Sequence, residues 1–417
     1  MSMADYIDVV NLDKEHLLTQ SNVFCMFPWT HLNTTPTGDV YPCCSNDYTD
    51  PVANTRSQSL REAFNAPKMK ALRNNMLSGT KSDICNFCYD HEQNTPHSFR
   101  RYSIENFGKY FDEVMSETHT DGTVDNFRMR YYDIRFSNIC NFKCRTCGTE
   151  FSSQWAIEDR KSGLNPDGPI IIHVDNDRGN VLTEVLDQIE HIDLAYFAGG
   201  EPLITPEHYV ILEELIRAGK TNTTLRYNTN ASNLKYKDYD ILDLWSKFDR
   251  VEVSCSIDSW GERAEVLRHG TDWGKVENNL KIIRSQPNVD FQYNTVLSIF
   301  NYQTLVEFYN YMKLNRLINL QTEWHHTLYL AVNPSYYCAK ALPEHLKAPV
   351  TDKIHRYYRT PRTSVVARLL SEAREFANSE HTWESQRDNF WHHTTRLNDI
   401  RSEDLFKAFP ELQELEN

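Results

Sequence analysis

No stretch of this 417-residue chain approaches the roughly 20 apolar residues that a membrane-spanning helix needs. Nor does the N-terminus show the order of charged, apolar and small residues that directs secretion, so a soluble, cytoplasmic protein with no membrane partner is expected. A basic excess is missing too. The 44 Lys and Arg stand against 58 Asp and Glu, a formal charge of -14, and this argues against broad attraction to nucleic acid. Repeats and low-complexity tracts are absent, and ten cysteines are too sparse for a secreted disulfide scaffold.

What cysteine there is, however, is concentrated. Eight of the ten fall within the first 147 residues at short spacings, which reads as metal ligation, while Cys255 and Cys338 stand alone. The length leaves room for two or three ordinary domains, or for one large barrel with appendages. Residues 1–100 are cysteine-rich and turn-rich, with one helix expected over "SQSLREAFNAPKMKALRNNML" from the spacing of Leu60, Phe64, Met69, Leu72 and Met76. Residues 127–340 alternate helical text with six β-rich runs, from "YYDIRFS" to "NLQTEWHHTLYL", which predicts an α/β core, a parallel sheet or partial barrel. In "TPEHYVILEELIRAG" the N-cap is Thr205 and Pro206 opens the first turn. The Gly-, Asn-, Asp- and Pro-rich stretch 161–180 reads as a long loop with room for a hairpin. Residues 341–417 are helical, with Val365, Val366, Leu369, Leu370, Ala373 and Phe376 on one apolar face.

In "FSNICNFKCRTCG", Cys140, Cys144 and Cys147 have the spacing C-x3-C-x2-C directly after a β-run, at the strand end where parallel sheets and barrels build ligand sites. Three thiolates suit an iron–sulfur cube with one iron left open, whereas a closed zinc site wants four ligands. Taken alone, the cysteines leave zinc as an alternative. After the next run comes "FAGGEPL", in which Gly199 and Gly200 permit close backbone approach and Glu201 offers a carboxylate to an ammonium.

On these residues the chain resembles the radical S-adenosylmethionine (SAM) superfamily, with a partial (β/α)6 TIM-type barrel as its core. The resemblance implies a [4Fe-4S] cluster on Cys140, Cys144 and Cys147, SAM on its open iron, Phe142 near the adenine, and Gly199, Gly200 and Glu201 at the methionine ammonium. It also implies that Asn228 and Asn230 in "YNTNAS", and Ser256, Asp258 and Arg268 further on, contact the ribose and the SAM carboxylate. Strand alternation puts Ser254, Ser256 and Asp258 on the barrel-facing side and Val253, Cys255 and Ile257 on the other, making Cys255 a core thiol.

The front end carries Cys25, twelve residues, Gly38, four residues and Cys43, then Cys85 and Cys88 as C-x2-C. This text is similar to the SPASM and twitch auxiliary-cluster modules, in the shorter twitch-like form and placed before the core rather than behind it. The resemblance implies a second [4Fe-4S] cluster on Cys25, Cys43, Cys85 and Cys88, with a zinc ribbon as the alternative. Cys44 is left open as a fourth ligand, a spare or a core thiol, because neighbours on a strand point oppositely. Pro28 and Trp29 read as packing beside the site.

An enzyme is thereby implied, one that cleaves SAM to a 5′-deoxyadenosyl radical and abstracts hydrogen from a peptide or protein substrate, with a flavodoxin- or ferredoxin-type reductant as partner. Its rivals are a radical SAM dehydrogenase or rearrangement enzyme acting on a sugar, nucleoside or other small molecule, and a non-catalytic metal-binding interaction protein. Weaker catalytic candidates are Glu323 and His325, which share a face of the last run, and Cys338 as a hydrogen-atom donor. The two histidines of "WHH" at 391–393 splay apart on a helix and are expected at the surface.

Overall fold

A nine-stranded sheet organises the protein, a computed structural model that describes residues 6–46, 48–93, 95, 97–175, 180–317, 326–357 and 365–416. Its strands are β1 (His31–Thr34), β2 (Asp39–Tyr41), β3 (Ala53–Asn54), β4 (Tyr131–Ile134), β5 (Leu194–Phe197), β6 (Thr224–Thr229), β7 (Val251–Ser256), β8 (Val289–Leu297) and β9 (His326–Leu330). The spatial order is β9-β8-β7-β6-β5-β4-β1-β2-β3. Strands β4 to β9 are all parallel and helices lie between them, the expected six-stranded α/β core.

The cysteine-rich front end does not stand apart from that sheet. β1 pairs in parallel with β4, His31 opposite Tyr131 and Thr34 opposite Ile134, and the antiparallel β2 and β3 complete the edge. The single helix expected over 57–77 is two, α1 (Leu60–Phe64) and α2 (Pro67–Leu77). Pro67 supplies no N–H and drives Ala66 to an extended ψ of 152°, so the break falls there. Ser59 and Glu62 form a capping box on α1. Next come α3 (Asn86–His91), which carries Cys88, and α4 (Phe99–Phe107). Trp29 and Pro28 are buried as expected, Trp29 Nε1 donating to Thr118 Oγ1 at 3.0 Å and the Pro28 carbonyl accepting from Arg73 Nε at 2.8 Å.

In the core, α5 (Ser153–Lys161) follows the cysteine loop and α6 (Pro206–Arg217) follows β5. Thr205 holds the N-cap place of α6, but its hydroxyl donates to the Glu201 carbonyl at 3.0 Å instead of capping. No hairpin forms among the described residues of 161–175; His173 bridges to Ser137 and pairs with Glu207 at 3.0 Å.

The C-terminal helices are α7 (Glu344–Tyr357), α8 (Val365–Asn378) and α9 (Trp383–Arg401). The apolar face of α8 packs on α7 and β9. His392 is exposed as expected, whereas His393 stacks on Tyr336 with centroids 4.4 Å apart, because a neighbouring turn covers that side of α9. α9 then reaches back to the cysteine loop. Arg401, fully buried, pairs with buried Glu158 of α5 at 2.8 Å, and Arg396 pairs with Asp159 at 2.6 Å. Beyond α9, Glu403 accepts from Arg145 Nη2 at 2.6 Å and is bonded by His269.

Candidate functional site

The loop leaving β4 carries Cys140, Cys144 and Cys147, and the loop leaving β5 carries Gly199, Gly200 and Glu201. The two loops touch backbone to backbone, the Glu201 amide donating to the Ile139 carbonyl at 2.8 Å. A Cβ on Gly200 would lie 2.1 Å from that carbonyl oxygen, so no other residue fits here, and Gly199 adopts φ +115°. A third glycine, unremarked in the sequence, does the same work: Gly270, at φ +109°, lies under Asn141 and Phe142. It follows a two-residue ribbon in which Arg268 pairs with Cys144 and His269 with Lys143.

All three cysteines line one cavity of about 330 Å³ together with Phe142, Gly199, Gly200, Glu201, Asn228, Asn230, Ser256 and Arg268. Eight expected cofactor residues thus meet where five separate segments converge. Arg268 Nη1 points at Cys144 Sγ from 3.9 Å, and the Phe142 amide donates to Cys140 Sγ at 3.4 Å. Asp258 lies apart from these eight. It does not line the cavity but sits buried behind it, accepting from Arg268 Nε at 2.8 Å and from the Val296 amide at 2.8 Å. Its carboxylate orients the arginine.

Glu201 is wired into the walls. Its carboxylate accepts from the Leu203 amide (3.0 Å), the Thr229 hydroxyl (2.7 Å) and the Asn230 amide (2.7 Å), tying the β5 loop to the end of β6. Burial outweighs these bonds and pushes its pKa up to about 7. A bound ammonium would favour the ionised form.

Below this cavity, inside the sheet's curve, lies a second one of about 550 Å³. Arg135, Tyr196 and Asn228 line both, so the two adjoin across a shared wall. Barrel-facing side chains furnish most of its wall: Tyr131 of β4, Arg226 of β6, Glu252 and Ser254 of β7, Gln292 and Asn294 of β8, and Thr327 and Tyr329 of β9. The front-end segment closes the rest with Cys44, Ser45, Asn46, Phe87 and Phe99. Opposite faces alternate as strand geometry requires, with Val253 and Cys255 buried in the core behind Ser254. No sequence signal marked Arg135, Tyr196 or Arg226, because each sits in an ordinary alternating strand pattern.

Cys25, Cys43, Cys85 and Cys88 ring a third, small cavity walled by Val23, Phe27, Met76, Ile84, Phe99 and Arg100. Cys25 Sγ is 3.1 Å from Ser103 Oγ, and Cys43 Sγ accepts from the Ser45 amide at 3.4 Å. Burial pushes the Cys25 and Cys85 thiols up to about 12. Arg100 holds the wall, giving Nη1 to the carbonyls of Ser21 (2.9 Å) and Phe24 (3.0 Å) and pairing with Glu92 at 2.5 Å. The doubled cysteine is split between cavities: Cys43 lines the thiol-ringed one and Cys44 the central one.

Cys338 lines neither of the larger cavities. It is buried beside Lys340, Lys347 and Glu380 under the C-terminal helices. Glu323 and His325 lie outside the described residues.

Comparison with known proteins agrees with this layout. Residues 134–312 match the radical SAM superfamily, and residues 25–89 match the SPASM iron–sulfur cluster-binding domain. Among solved structures, anSMEcpe with bound AdoMet is similar at 18% identity over 53% of this chain and 59% of its own, with a TM-score of 0.35. Streptococcus suis SuiB bound to S-adenosylmethionine is similar at 13% identity over 72% and 64%, with a TM-score of 0.37. The matched parts therefore span about three fifths of those proteins' length. No curated protein matches.

Proposed function

With residues 134–312 belonging to the radical SAM superfamily and residues 25–89 to the SPASM iron–sulfur domains, we propose that this enzyme abstracts hydrogen from a peptide or protein substrate seated in the central cavity. The observation that carries the reading is that the cysteine-lined 330 Å³ cavity adjoins the 550 Å³ cavity, with Arg135, Tyr196 and Asn228 in the walls of both. Cys140, Cys144 and Cys147 hold a [4Fe-4S] cluster, and Gly199, Gly200, Glu201, Asn230 and Arg268 hold SAM. Cys25, Cys43, Cys85 and Cys88 hold the auxiliary [4Fe-4S] cluster. When bound, the first cluster and SAM supply a 5′-deoxyadenosyl radical for C–H abstraction.

The chain's own residues place the reacting groups and exclude water. Phe142, buried against the Gly270 turn, forms an apolar floor where an adenine fits. Asp258 holds Arg268 by its Nε and leaves the rest of the guanidinium toward Cys144 and the cavity. Asn228 donates to the Tyr196 hydroxyl at 2.7 Å and accepts from Asn294 at 2.9 Å, a fixed polar septum between cofactor and substrate cavities. Exposed aromatics at the mouth, Phe87 at 56% and Tyr329 at 50%, favour a substrate that extends beyond the cavity, as a peptide does. A second reading, oxidation of a small molecule, draws on the cavity's volume, which lies in the small-ligand range.

The test is anaerobic reconstitution of the full chain with iron, sulfide and SAM under a chemical reductant. About eight irons per chain and release of 5′-deoxyadenosine are expected. Iron uptake without any SAM cleavage overturns catalysis. Incubation with short peptides encoded beside the gene, read as a mass change, separates the two substrate readings.

A further inference from the structure

The charged groups Arg226 and Glu252 of the central cavity, and several of its polar ones, are paired within the wall. Arg226 gives Nε to Glu252 at 2.5 Å and Nη2 to the Tyr102 hydroxyl at 3.2 Å, and Glu252 also takes Arg250 at 3.0 Å. Ser254 donates to Gln292 Oε1 at 3.2 Å, and Asn228 joins Tyr196 to Asn294.

Arg135 differs. Among the described residues its guanidinium bonds only Asp133, Nε to Oδ1 at a long 3.4 Å, and neither Nη is engaged. Its side chain is 14% exposed, and it lines the central and cofactor cavities alike. Asp133 is itself shared, its Oδ2 accepting from Asn33 Nδ2 at 2.7 Å. Burial alone would weaken the charge, but the Asp133 carboxylate outweighs it and holds Arg135 above its ordinary pKa, so the group stays cationic. A guanidinium with both Nη free presents the parallel fork that a carboxylate accepts. Arg268, which lines the cofactor cavity and not the central one, would be left to answer the cofactor's own carboxylate.

We propose that Arg135 anchors a carboxylate of the substrate at the boundary between the two cavities, so that the reacting part of the substrate carries an acidic side chain or a chain-terminal carboxylate close to the C–H bond that is broken. This rests on the central cavity being the substrate site of a radical SAM enzyme. The anchored group enters as the anion and its charge is answered by Arg135, with Asp133 keeping the guanidinium in place from behind.

Site-resolved labelling of the reconstituted, SAM-loaded full chain by phenylglyoxal, read by peptide mass spectrometry, tests the anchor. Arg135 is expected to react, and its labelling to slow by about threefold at a probe concentration twice a millimolar-range dissociation constant. The probes are N-acetylglutamate α-amide, which carries only a side-chain carboxylate, N-acetylglutamine, which carries only a terminal one, and N-acetylglutamine amide, which carries neither. Slowing by either acid, and not by the diamide, supports the anchor and tells which carboxylate it takes. Protection by SAM alone relative to the SAM-free protein, an Arg135 that never reacts, equal effects of acid and diamide, or no effect of any probe would each overturn it. The same preparation is assayed for 5′-deoxyadenosine. Its absence sinks the enzyme reading, whereas its presence without carboxylate protection sinks only the anchor.

Discussion

The two cysteine sites solve different problems with the same side chain. Cys140, Cys144 and Cys147 come from one loop and face a cavity of about 330 Å³ lined by amides, hydroxyls and two arginines, so three thiols leave one side open to a ligand. Cys25, Cys43, Cys85 and Cys88 come from three segments and face a small cavity walled largely by apolar side chains, where four thiols leave no side open. The open site is built for exchange and the closed one for retention. Their difference lies in the walls more than in the thiols.

The strongest way to break this comparison is to remove one site at a time. The triple variant C140A/C144A/C147A should lose about four of about eight irons and all 5′-deoxyadenosine release, measured by iron assay and chromatography; loss of all the iron would mean that the sites are not independent. Sharper still is the doubled cysteine. Cys43→Ala should lower auxiliary-site iron and its spectroscopic signal, while Cys44→Ala should leave the iron count unchanged, since its side chain faces the other cavity. Equal iron loss in both would contradict the split.

Next in size is the clamp that α9 places on the open site. Arg401→Met leaves buried Glu158 with Lys143 as its remaining cation and should cost about 3–5 kcal/mol, read from denaturant unfolding. A loss within the range of a surface pair would show the clamp to be incidental. The smallest effect concerns acid. Burial lowers His31 of β1 to about 4 and His208 of α6 to about 3, so both are neutral in the fold. The unfolded chain takes up these protons first. The stability they contribute is therefore present above pH about 6.5 and is lost as pH falls toward the folded values, by at most about 3–5 kcal/mol per histidine. The unfolding free energy of H31Q should fall less steeply than that of the unaltered protein between about pH 7 and about pH 5. An unchanged slope would show that His31 is not held neutral.

Much of this arrangement was legible before any coordinates. The six parallel strands, the cysteine triplet at the end of the first and the paired glycines at the end of the second follow from period-two alternation and from ligand spacing within a few residues. The pairing of Asp258 with Arg268 was not legible, because strand alternation gives the face of a residue but not whether a neighbouring arginine stands in front of it. The burial of Cys338 was not legible, because packing under distant helices leaves no local trace. The split at Pro67 was readable and was outweighed by the apolar spacing on either side of it.

By itself, then, the sequence determined which residues carry the chemistry, because thiol spacing, close-approach glycines and strand periodicity act over a few residues of chain. Only the tertiary structure decided that β1 extends the core sheet, that Cys43 and Cys44 serve different cavities, that α9 clamps the cysteine loop through Arg401 and Glu158, and that Arg135 is left with an open fork. Those are contacts between segments far apart in the chain. They are set by how packed layers meet, and no local pattern encodes which partner a buried charge will find.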